Sequence, residues 1–296
     1  MRVLIVGCGY VGLPLGAALV ARGHNVVGLR RSPAAAEELR AAGLEPAFAD
    51  VAERASLDAL PRPFDWVVNC VATGGGGLDD YRRTYLEGTR HLLDWLGAAP
   101  PARFLYTSST SVYGQIDGTD VDEASPTEPS SATARILVAT EQVLLAAARE
   151  RHFPATILRL AGIYGPGRGY WLRQFVAGEA RLEGEGRRIL NLVHRDDVVG
   201  AILAALDRGA AGAVYNVVDD APVTQRGLFT WLAARLNRPL PPVVPEDLAE
   251  ARKRGLTNKR VTNRKLKAEL GHQFQYPTFR EGFEVELERL GFTRQP

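Results

Sequence analysis

Residues 3–16, VLIVGCGYVGLPLG, form an apolar strand that runs into a glycine-rich turn and then into a helical pattern. Gly7, Gly9 and Gly12 follow the G-x-G-x-x-G spacing in the strand–turn–helix context that this spacing requires. Gly7 permits the tight turn, Gly9 lets the backbone approach a ligand, and Gly12 allows close helix–strand packing. Exposed N–H groups and the helix dipole at such a turn bind pyrophosphate. The stretch therefore predicts a dinucleotide-binding unit, whose cofactor contacts are Gly7, Gly9, Tyr10, Val11 and Gly12.

Short apolar runs alternate with longer helical segments along the first half of the chain. The predicted strands are 3–7, 25–30, 66–72, 103–109, 155–162 and 213–219, and the predicted helices are about 11–22, 34–42, 79–97 and 133–150. This alternation is typical of an α/β protein with a doubly wound, parallel Rossmann sheet. After about residue 160 the alternation loosens. We therefore predict a Rossmann domain over 1–160, to which 192–220 return, and a small C-terminal substrate-binding lobe that makes up most of 161–296.

Composition limits the classes of partner. The 296 residues are 46% hydrophobic, and 36 basic against 34 acidic residues give a formal charge of +2, which makes nucleic acid an unlikely ligand. The sequence shows neither a leader peptide nor an 18-residue apolar stretch, so we expect a cytoplasmic protein without a membrane partner. Cys8 and Cys70 stand far apart without a metal-ligand pattern, and we expect reduced thiols and no metal site.

The end of the second predicted strand indicates which dinucleotide binds. NAD-binding folds usually place Asp or Glu there, whereas this strand ends at Arg30 and is followed by Arg31. Guanidinium groups match a phosphate monoester in charge and geometry, so we predict NADP(H) over NAD(H). The alternative is a pair of solvent-facing arginines, because adjacent strand residues point to opposite sides. Asp50 could accept a hydrogen bond from the adenine amino group, or it could cap the helical segment that follows it.

Several ordered motifs together resemble one known enzyme family. They are GCGYVG (7–12), TSSTSVYG (107–114), DEASPTEPS (122–130), RLAGIYGPGR (159–168), LVHRDDVV (192–199) and YNVVDDAPVT (215–224). In this order they resemble the extended short-chain dehydrogenase/reductases, which include nucleotide-sugar epimerases and dehydratases. The stretch from Asn258 to Gly271 and the GxGYxG turn resemble the YeeZ-like bacterial branch. The resemblance implies an NAD(P)-binding Rossmann domain, hydride transfer at a carbinol or ketone, and a possible homodimer formed through helices near 79–97 and 133–150.

The family's usual acid/base pair is missing. The resemblance implies a Tyr four residues and a Lys eight residues after a Pro, followed by a Glu twelve residues after it. Pro129 and Glu141 keep this register, but the Tyr position is Thr133 and the Lys position is Leu137. A Thr hydroxyl does not ionise near neutrality, and Leu provides no cation to lower a neighbouring pKa. Arg135 lies roughly 200° away around the helix and does not replace the Lys.

Three other hydroxyl groups are therefore candidate proton sources. Ser109 matches the family's substrate-orienting Ser and is predicted to contact both cofactor and substrate; alternatively it bonds the backbone at the strand end. Tyr85 replaces the Asn of an N-x-x-G-T motif and is a second candidate acid, and Tyr113 is a third. For both tyrosines the alternative is a buried phenol bonded to structure.

The remaining predicted contacts lie after strands and in the later glycine-rich segment. Val51 and Ala72 are predicted to line the cofactor site, and Tyr164 and Arg168 to contact the substrate. A loop arginine exposed to solvent is the alternative for Arg168. The basic run 251–260 suggests either a solvated face or the rim of an anionic site.

His194 lies before Asp197 in LVHRDDVV, and we interpret both as structural, with Asp197 as the N-cap of the next helix. Three hypotheses about function follow. The chain could be an oxidoreductase with another proton source, a non-catalytic NADP(H) sensor or scaffold, or a nucleotide-sugar epimerase or dehydratase. The first is favoured because GPGRGYW (165–171) and TGGGG (73–77) are typical of mobile flaps beside a reactive centre.

Overall fold

A seven-stranded parallel sheet organises the computed structural model, which describes residues 1–245 and 257–293. Its strands are β1 (Arg2–Val6), β2 (Asn25–Arg30), β3 (Glu45–Phe48), β4 (Trp66–Asn69), β5 (Arg103–Ser109), β6 (Ala155–Leu160) and β7 (Val214–Val217). The spatial order is β7-β6-β5-β4-β1-β2-β3, and each neighbouring pair is parallel. The predicted Rossmann-type α/β fold is thereby confirmed.

Strand β1 lies between β2 and β4, where the winding of the chain reverses. Val3 pairs with Val26 on one side and with Trp66 on the other. Strands β1, β2 and β4 therefore all lie in the interior of the sheet. From this position the chain winds outward through β2 and β3 on one side and through β4 to β7 on the other. In open α/β sheets, ligands bind beyond the carboxyl ends of the strands at such a switch point.

Ten helices accompany these strands among the described residues. They are α1 (Gly12–Ala21), α2 (Ala36–Ala41), α3 (Leu78–Tyr81), α4 (Gly88–Leu96), α5 (Ala132–Arg151), α6 (Tyr170–Val176), α7 (Arg195–Arg208), α8 (Gln225–Leu236), α9 (Arg264–Leu270) and α10 (Phe279–Arg289). Helix α5 agrees closely with the predicted 133–150. The helix predicted over 79–97 is instead interrupted by a π-helical turn, Arg82–Glu87, between α3 and α4. Such turns often occur at functional sites, and this one contains Tyr85.

Two apolar clusters form the interior of the part that the structure describes. The larger one surrounds the sheet and takes in α7, whose residues from Val198 to Leu206 include eight buried apolar side chains. The smaller one joins α6, α8 and α10 through side chains such as Phe175, Phe229 and Phe283. Helix α9 packs on α7 and β7 and contributes Leu266 to the larger cluster. The C-terminal residues thus contribute to the Rossmann core as well as to the smaller lobe.

Within the described part of the chain, four two-stranded pairs connect the outer segments. Asp120–Val121 pairs with Arg260–Val261, Gly162–Tyr164 with Leu192–His194, Leu182–Glu183 with Val243–Val244, and Ile189–Leu190 with Val223–Thr224. The second of these pairs extends directly from the carboxyl end of β6. It brings the segment after β6 and the start of α7 together above the switch point.

Across residues 1–245 and 257–293, none of the helices combines the length and apolar character needed to cross a lipid bilayer. The same residues contain no group of three or more His, Cys, Asp or Glu side chains arranged to hold a metal ion. Cys8 and Cys70 are free thiols, and burial raises the pKa of each to about 12.

Candidate cofactor and substrate site

A cleft of about 990 Å³ opens at the switch point. The phosphate loop forms one wall, the ends of β2 and β3 form a second, and the segment after β6 together with α6 closes the other side. All predicted cofactor contacts except Gly12 line this cleft: Gly7, Gly9, Tyr10, Val11, Arg30, Arg31, Asp50, Val51, Ala72 and Ser109. The volume lies at the upper end of the range of small-molecule and cofactor sites.

Close packing explains two glycines of the phosphate loop. Gly7 has φ +79°, and a Cβ there would lie 2.7 Å from the backbone N and Cα of Val71. A Cβ on Gly12 would lie 3.0 Å from the Gly7 carbonyl oxygen and from the Ile5 side chain. Gly12 is therefore needed for helix–strand packing and does not itself line the cleft. Without a Cβ at these positions, α1 and β4 can approach the loop closely.

Arg30 and Arg31 both line the cleft despite their adjacent positions. The Arg30 Nη1 donates a hydrogen bond to the Cys8 carbonyl oxygen at 2.8 Å and lies 3.6 Å from a Glu38 carboxylate oxygen. Arg31 follows the last residue of β2, is exposed, and contacts no carboxylate among the described residues. Two guanidinium groups thus border the end of the cleft where β2 and β3 terminate. Their positive charge suits an anionic group at this end of the cleft.

Asp50 lies in the wall of the cleft, and the predicted alternative that it caps the following helical segment is wrong, because the N-cap of that segment is Glu53. It lines the cleft beside Val51, and its Oδ1 accepts a hydrogen bond from the Ala52 N–H at 3.0 Å. Its own N–H donates to the Ser56 hydroxyl at 3.1 Å. The carboxylate therefore stabilises the turn after β3, at the end of the cleft that also contains Arg30 and Arg31.

Ser109 and Tyr85 lie on the walls of the cleft, and both already bond the backbone. The Ser109 hydroxyl accepts from the Ser111 N–H at 3.2 Å and caps a short 3₁₀ turn. The Tyr85 hydroxyl accepts a long hydrogen bond, 3.4 Å, from the Thr73 N–H, and its ring packs against Tyr81. In both of these bonds the hydroxyl oxygen is the acceptor.

Tyr113 belongs to a buried polar network and does not line the cleft. Its hydroxyl donates to Asn216 Oδ1 at 2.8 Å and accepts from Arg159 Nη1 at 2.8 Å. Arg159 also forms a buried ion pair with Glu141, whose carboxylate accepts from the Ser108 hydroxyl at 2.5 Å. Burial raises the pKa of Tyr113 to about 12. The structure therefore contradicts Tyr113 as a replacement acid.

A family model described as "NAD dependent epimerase/dehydratase family" matches residues 3–218 of the chain. The chain belongs to this family. The match spans the whole Rossmann sheet and the phosphate loop.

Relatives along the whole chain agree with this assignment. The chain is 35% identical to "Protein YeeZ" of Escherichia coli (strain K12) over 286 residues, 93% of this chain and 96% of that protein. It is 31% identical to the "3-diazoavenalumate denitrifying reductase" of a Streptomyces species, over 95% of this chain and 99% of that protein. Among solved structures, a functionally unknown conserved protein from Silicibacter pomeroyi has a TM-score of 0.79 and 33% identity, with 99% of each chain covered. The predicted resemblance to the YeeZ-like branch is confirmed.

An apolar wall stands where the family's acid/base pair is expected. Leu137 on α5 is 2% exposed and lines the cleft together with Leu160, Ala161 and Ile163. The Thr133 hydroxyl lies 2.9 Å from that of Ser131 at the start of the same helix, and Thr133 does not line the cleft. The cleft is therefore bordered by a hydrocarbon surface at Leu137, where the sequence resemblance predicts that the usual lysine is missing.

The predicted substrate contact of Tyr164 is wrong in this structure. Tyr164 is 2% exposed, does not line the cleft, and packs edge-to-face on Phe283 of α10 at 4.8 Å between ring centroids. A Cβ on Gly282 would overlap its hydroxyl, so α10 presses directly on the ring. Burial raises the pKa of Tyr164 above its ordinary value. The side chain anchors the lobe.

The capping prediction for α7 is also wrong. His194 is the N-cap, and its Nδ1 accepts from the Asp196 N–H at 3.1 Å. Asp197 lies one turn further on and accepts from the N–H groups of Gln275 and Tyr276 at 2.6 and 3.0 Å. Burial lowers the pKa of His194, which favours the neutral ring that an accepting Nδ1 requires. Asp197 thus fastens the segment before α10 to the Rossmann domain.

The basic run 251–260 lies only in part within the described residues, because 251–256 fall outside them. Lys259 is 3% exposed and donates to the Tyr113 carbonyl oxygen at 2.8 Å, and burial lowers its pKa to about 8. Arg260 forms an exposed ion pair with Asp120 at 3.0 Å. Neither lines the cleft. These two residues connect the C-terminal segment to the loop after β5.

The predicted flap 165–171 includes Tyr170, but the sequence did not predict that the rest of α6 contributes to the cleft. Tyr170, Arg173 and Gln174 line it from the lobe side, and Glu179 follows the helix at the same wall. Tyr170 is 63% exposed, an unusual state for a large aromatic side chain. A short helix after a glycine turn has too little periodicity to show from sequence which face borders a ligand.

Proposed function

We propose that this protein is an NADP(H)-dependent oxidoreductase acting on a carbonyl or alcohol group of a small molecule without the family's Tyr–Lys pair. The observation that supports it is the cleft at the switch point, in which the phosphate loop and the Arg30–Arg31 pair face the same volume. The backbone N–H groups of the loop suit a pyrophosphate, and the two guanidinium groups suit a ribose 2′-phosphate.

Charge in the cleft supports the same ligand. Among the described residues, four arginines line it, Arg30, Arg31, Arg168 and Arg173, against two carboxylates, Asp50 and Glu179. A cavity with this excess of cations attracts a polyanion such as a phosphorylated dinucleotide. When bound, the nicotinamide group would supply or accept a hydride.

The residues at the β5–β6 side of the cleft suit a weakly polar substrate. Leu137, Leu160 and Ile163 exclude water there, and Ser109 presents a hydroxyl that can orient a carbonyl oxygen. Ser109, with Tyr85 as a second donor, is the proposed proton source. The likeness to a protein named a denitrifying reductase supports reduction as the reaction class. Epimerase or dehydratase chemistry is less well supported, because the usual pair that exchanges protons is replaced by Thr133 and Leu137.

One observation favours a second candidate, an NADP(H)-binding sensor without turnover. Both candidate donors already bond the backbone, and the lining residues from β5, α5 and β6 include no His, Lys, Asp or Glu that could reload a proton. Loss of general acid catalysis alone removes a factor of roughly 10²–10⁴ in rate. Such a protein could bind the cofactor and respond through the lobe without chemistry.

A panel assay separates the two candidates. NADPH fluorescence is followed with aldehydes, ketones, quinones and nucleotide sugars, and each active compound is tested again with Ser109→Ala and Tyr85→Phe. An oxidoreductase oxidises NADPH with at least one compound, and the loss of the donor slows that rate. Binding of NADPH at micromolar concentration without oxidation by any compound would favour the sensor.

A further inference from the structure

Arg168 is presented by a rigid turn at the edge of the lobe. The N–H of Gly165 donates to the Arg168 carbonyl oxygen at 2.9 Å, and the N–H of Arg168 donates back to the Gly165 carbonyl oxygen at 2.9 Å. Pro166 and Gly167, with φ +69° at Gly167, occupy the two central positions as in a type II turn. Two reciprocal hydrogen bonds and a proline reduce the freedom of the backbone. The backbone conformation of the turn is therefore largely set before any ligand binds.

The Arg168 guanidinium lies against the phosphate loop. Its Cζ is 5.1 Å from the centroid of the Tyr10 ring, and the Cζ of Arg195 is 5.4 Å from the same centroid. Tyr10 stands between Gly9 and Val11, so this contact joins the lobe turn to the loop that would hold a pyrophosphate. The Tyr10 hydroxyl is buried without a hydrogen-bond partner among the described residues, and a Cβ on Gly165 would lie 3.1 Å from it.

The two arginines differ in electrostatic state. Arg195 donates through Nε and Nη2 to Asp196 at 2.9 Å, which balances its charge. Arg168 contacts no carboxylate within residues 1–245 and 257–293, although it lines the cleft. A guanidinium without a counter-ion beside an amide-rich loop favours an anion at that point.

We propose that Arg168 binds the pyrophosphate of the dinucleotide from the lobe side, opposite the N–H groups of the phosphate loop, with Tyr10 positioning it. This rests on the proposed function, since it requires NADP(H) in the cleft. It also replaces the predicted substrate contact of Arg168 with a cofactor contact. One anion would then bridge the Rossmann domain and the turn Gly165–Arg168, so cofactor binding would fix the lobe wall that the substrate meets.

The pyrophosphate is common to both pyridine dinucleotides, whereas the 2′-phosphate proposed for Arg30 and Arg31 is present only in NADP(H). Substitution of Arg168 should therefore affect both dinucleotides. Arg168→Ala should weaken the binding of NADPH and of NADH by the same factor, about tenfold to a hundredfold for a charge-assisted contact. Arg168→Lys should recover part of the loss, because it restores charge without the planar fork. Tyr10→Leu should weaken the binding of both dinucleotides, because it removes the ring that positions Arg168.

The test is titration calorimetry of NADPH and NADH with the full chain and these variants. Arg149→Ala, an exposed change at the end of α5, is the control, and thermal unfolding verifies that each variant is folded. Unchanged affinity in Arg168→Ala, or a loss confined to NADPH, would overturn the proposal while leaving the proposed function intact. If the wild type binds neither dinucleotide, the proposed function itself fails.

Discussion

The Arg159 guanidinium and the Glu141 carboxylate form a buried ion pair beneath the cleft, with Nη2 2.7 Å from Oε2 and Nε bonded to both carboxylate oxygens. Arg159→Met should leave Glu141 buried without its cation and lower the free energy of unfolding by about 3–5 kcal/mol. Urea denaturation at neutral pH measures this loss. Arg54→Met, in the exposed pair with Asp58, should cost less than about 1 kcal/mol. Similar losses in the two variants would contradict the structural role of the buried pair.

Gly7 should tolerate a side chain much less well than Gly23, although both have nearly the same backbone conformation, φ +79° and +82°. Gly23→Ala meets no atom within 4 Å and should cost only the left-handed strain, about 1–2 kcal/mol. Gly7→Ala adds the collision with Val71 and should cost a further 1–3 kcal/mol or so. Chemical unfolding of both variants gives the difference, and equal losses would show that the loop can move away from β4.

Arg31→Ala should reduce the affinity for NADPH about tenfold or more and leave the affinity for NADH unchanged, because only NADPH has the 2′-phosphate. Arg30→Ala should also remove the preference, with a modest loss for NADH, because the hydrogen bond to the Cys8 carbonyl oxygen holds the phosphate loop. Competitive fluorescence titration with the two dinucleotides measures both effects. A retained preference in both single variants and in the double variant would refute the assignment of these arginines.

Asp219 should make stability depend on pH. Burial raises its pKa to about 8, so the folded chain keeps a proton that the unfolded chain releases, and the free energy of unfolding falls as pH rises toward 8. Burial also raises the pKa of Asp197, to about 6, so its contribution to the pH dependence of stability falls mainly below pH 6. Between pH 6 and 8 the wild type should therefore lose up to about 1.4 kcal/mol per pH unit relative to Asp219→Asn. Denaturation at pH 6, 7 and 8 tests this. The exposed control Asp94→Asn should give a pH profile parallel to that of the wild type. A parallel profile for Asp219→Asn would refute the prediction.

Restoring the missing pair should restore the family's chemistry. Thr133→Tyr with Leu137→Lys places a phenol and an ammonium one helical turn apart on α5, and Leu137 already lines the cleft. NADPH oxidation with simple ketones should rise by roughly 10²–10⁴ over the wild type. Leu137→Met and each single substitution are the controls. A folded, NADPH-binding double variant without any gain would show that these positions do not correspond to the pair.

The sequence predicted the Rossmann fold well because its signal is local. Strands β2 and β5 coincide with the predicted 25–30 and 103–109, since each is an apolar run buried between helices. The phosphate loop was recognisable because its glycines serve close packing at fixed spacing. The π-helical turn at Arg82–Glu87 was not predicted, because hydrophobic periodicity over 79–97 does not distinguish one extra residue in a turn.

The errors concern contacts between residues far apart in the chain. Tyr164 was assigned to the substrate from its place in a glycine-rich stretch, but its ring packs on Phe283, which lies in the last helix. Asp197 was expected to cap α7, yet its carboxylate bonds Gln275 and Tyr276 instead. No local pattern reveals such partners, because the direction of a side chain depends on what tertiary packing places beside it.

Calorimetric titration of the wild-type chain with NADPH and NADH tests the central claim most directly. The arrangement of the phosphate loop, Arg30 and Arg31 predicts one site per chain that binds NADPH at least about tenfold more tightly than NADH. Equal or tighter binding of NADH would contradict the assignment of NADP(H), and the absence of binding for both dinucleotides would contradict the account as a whole.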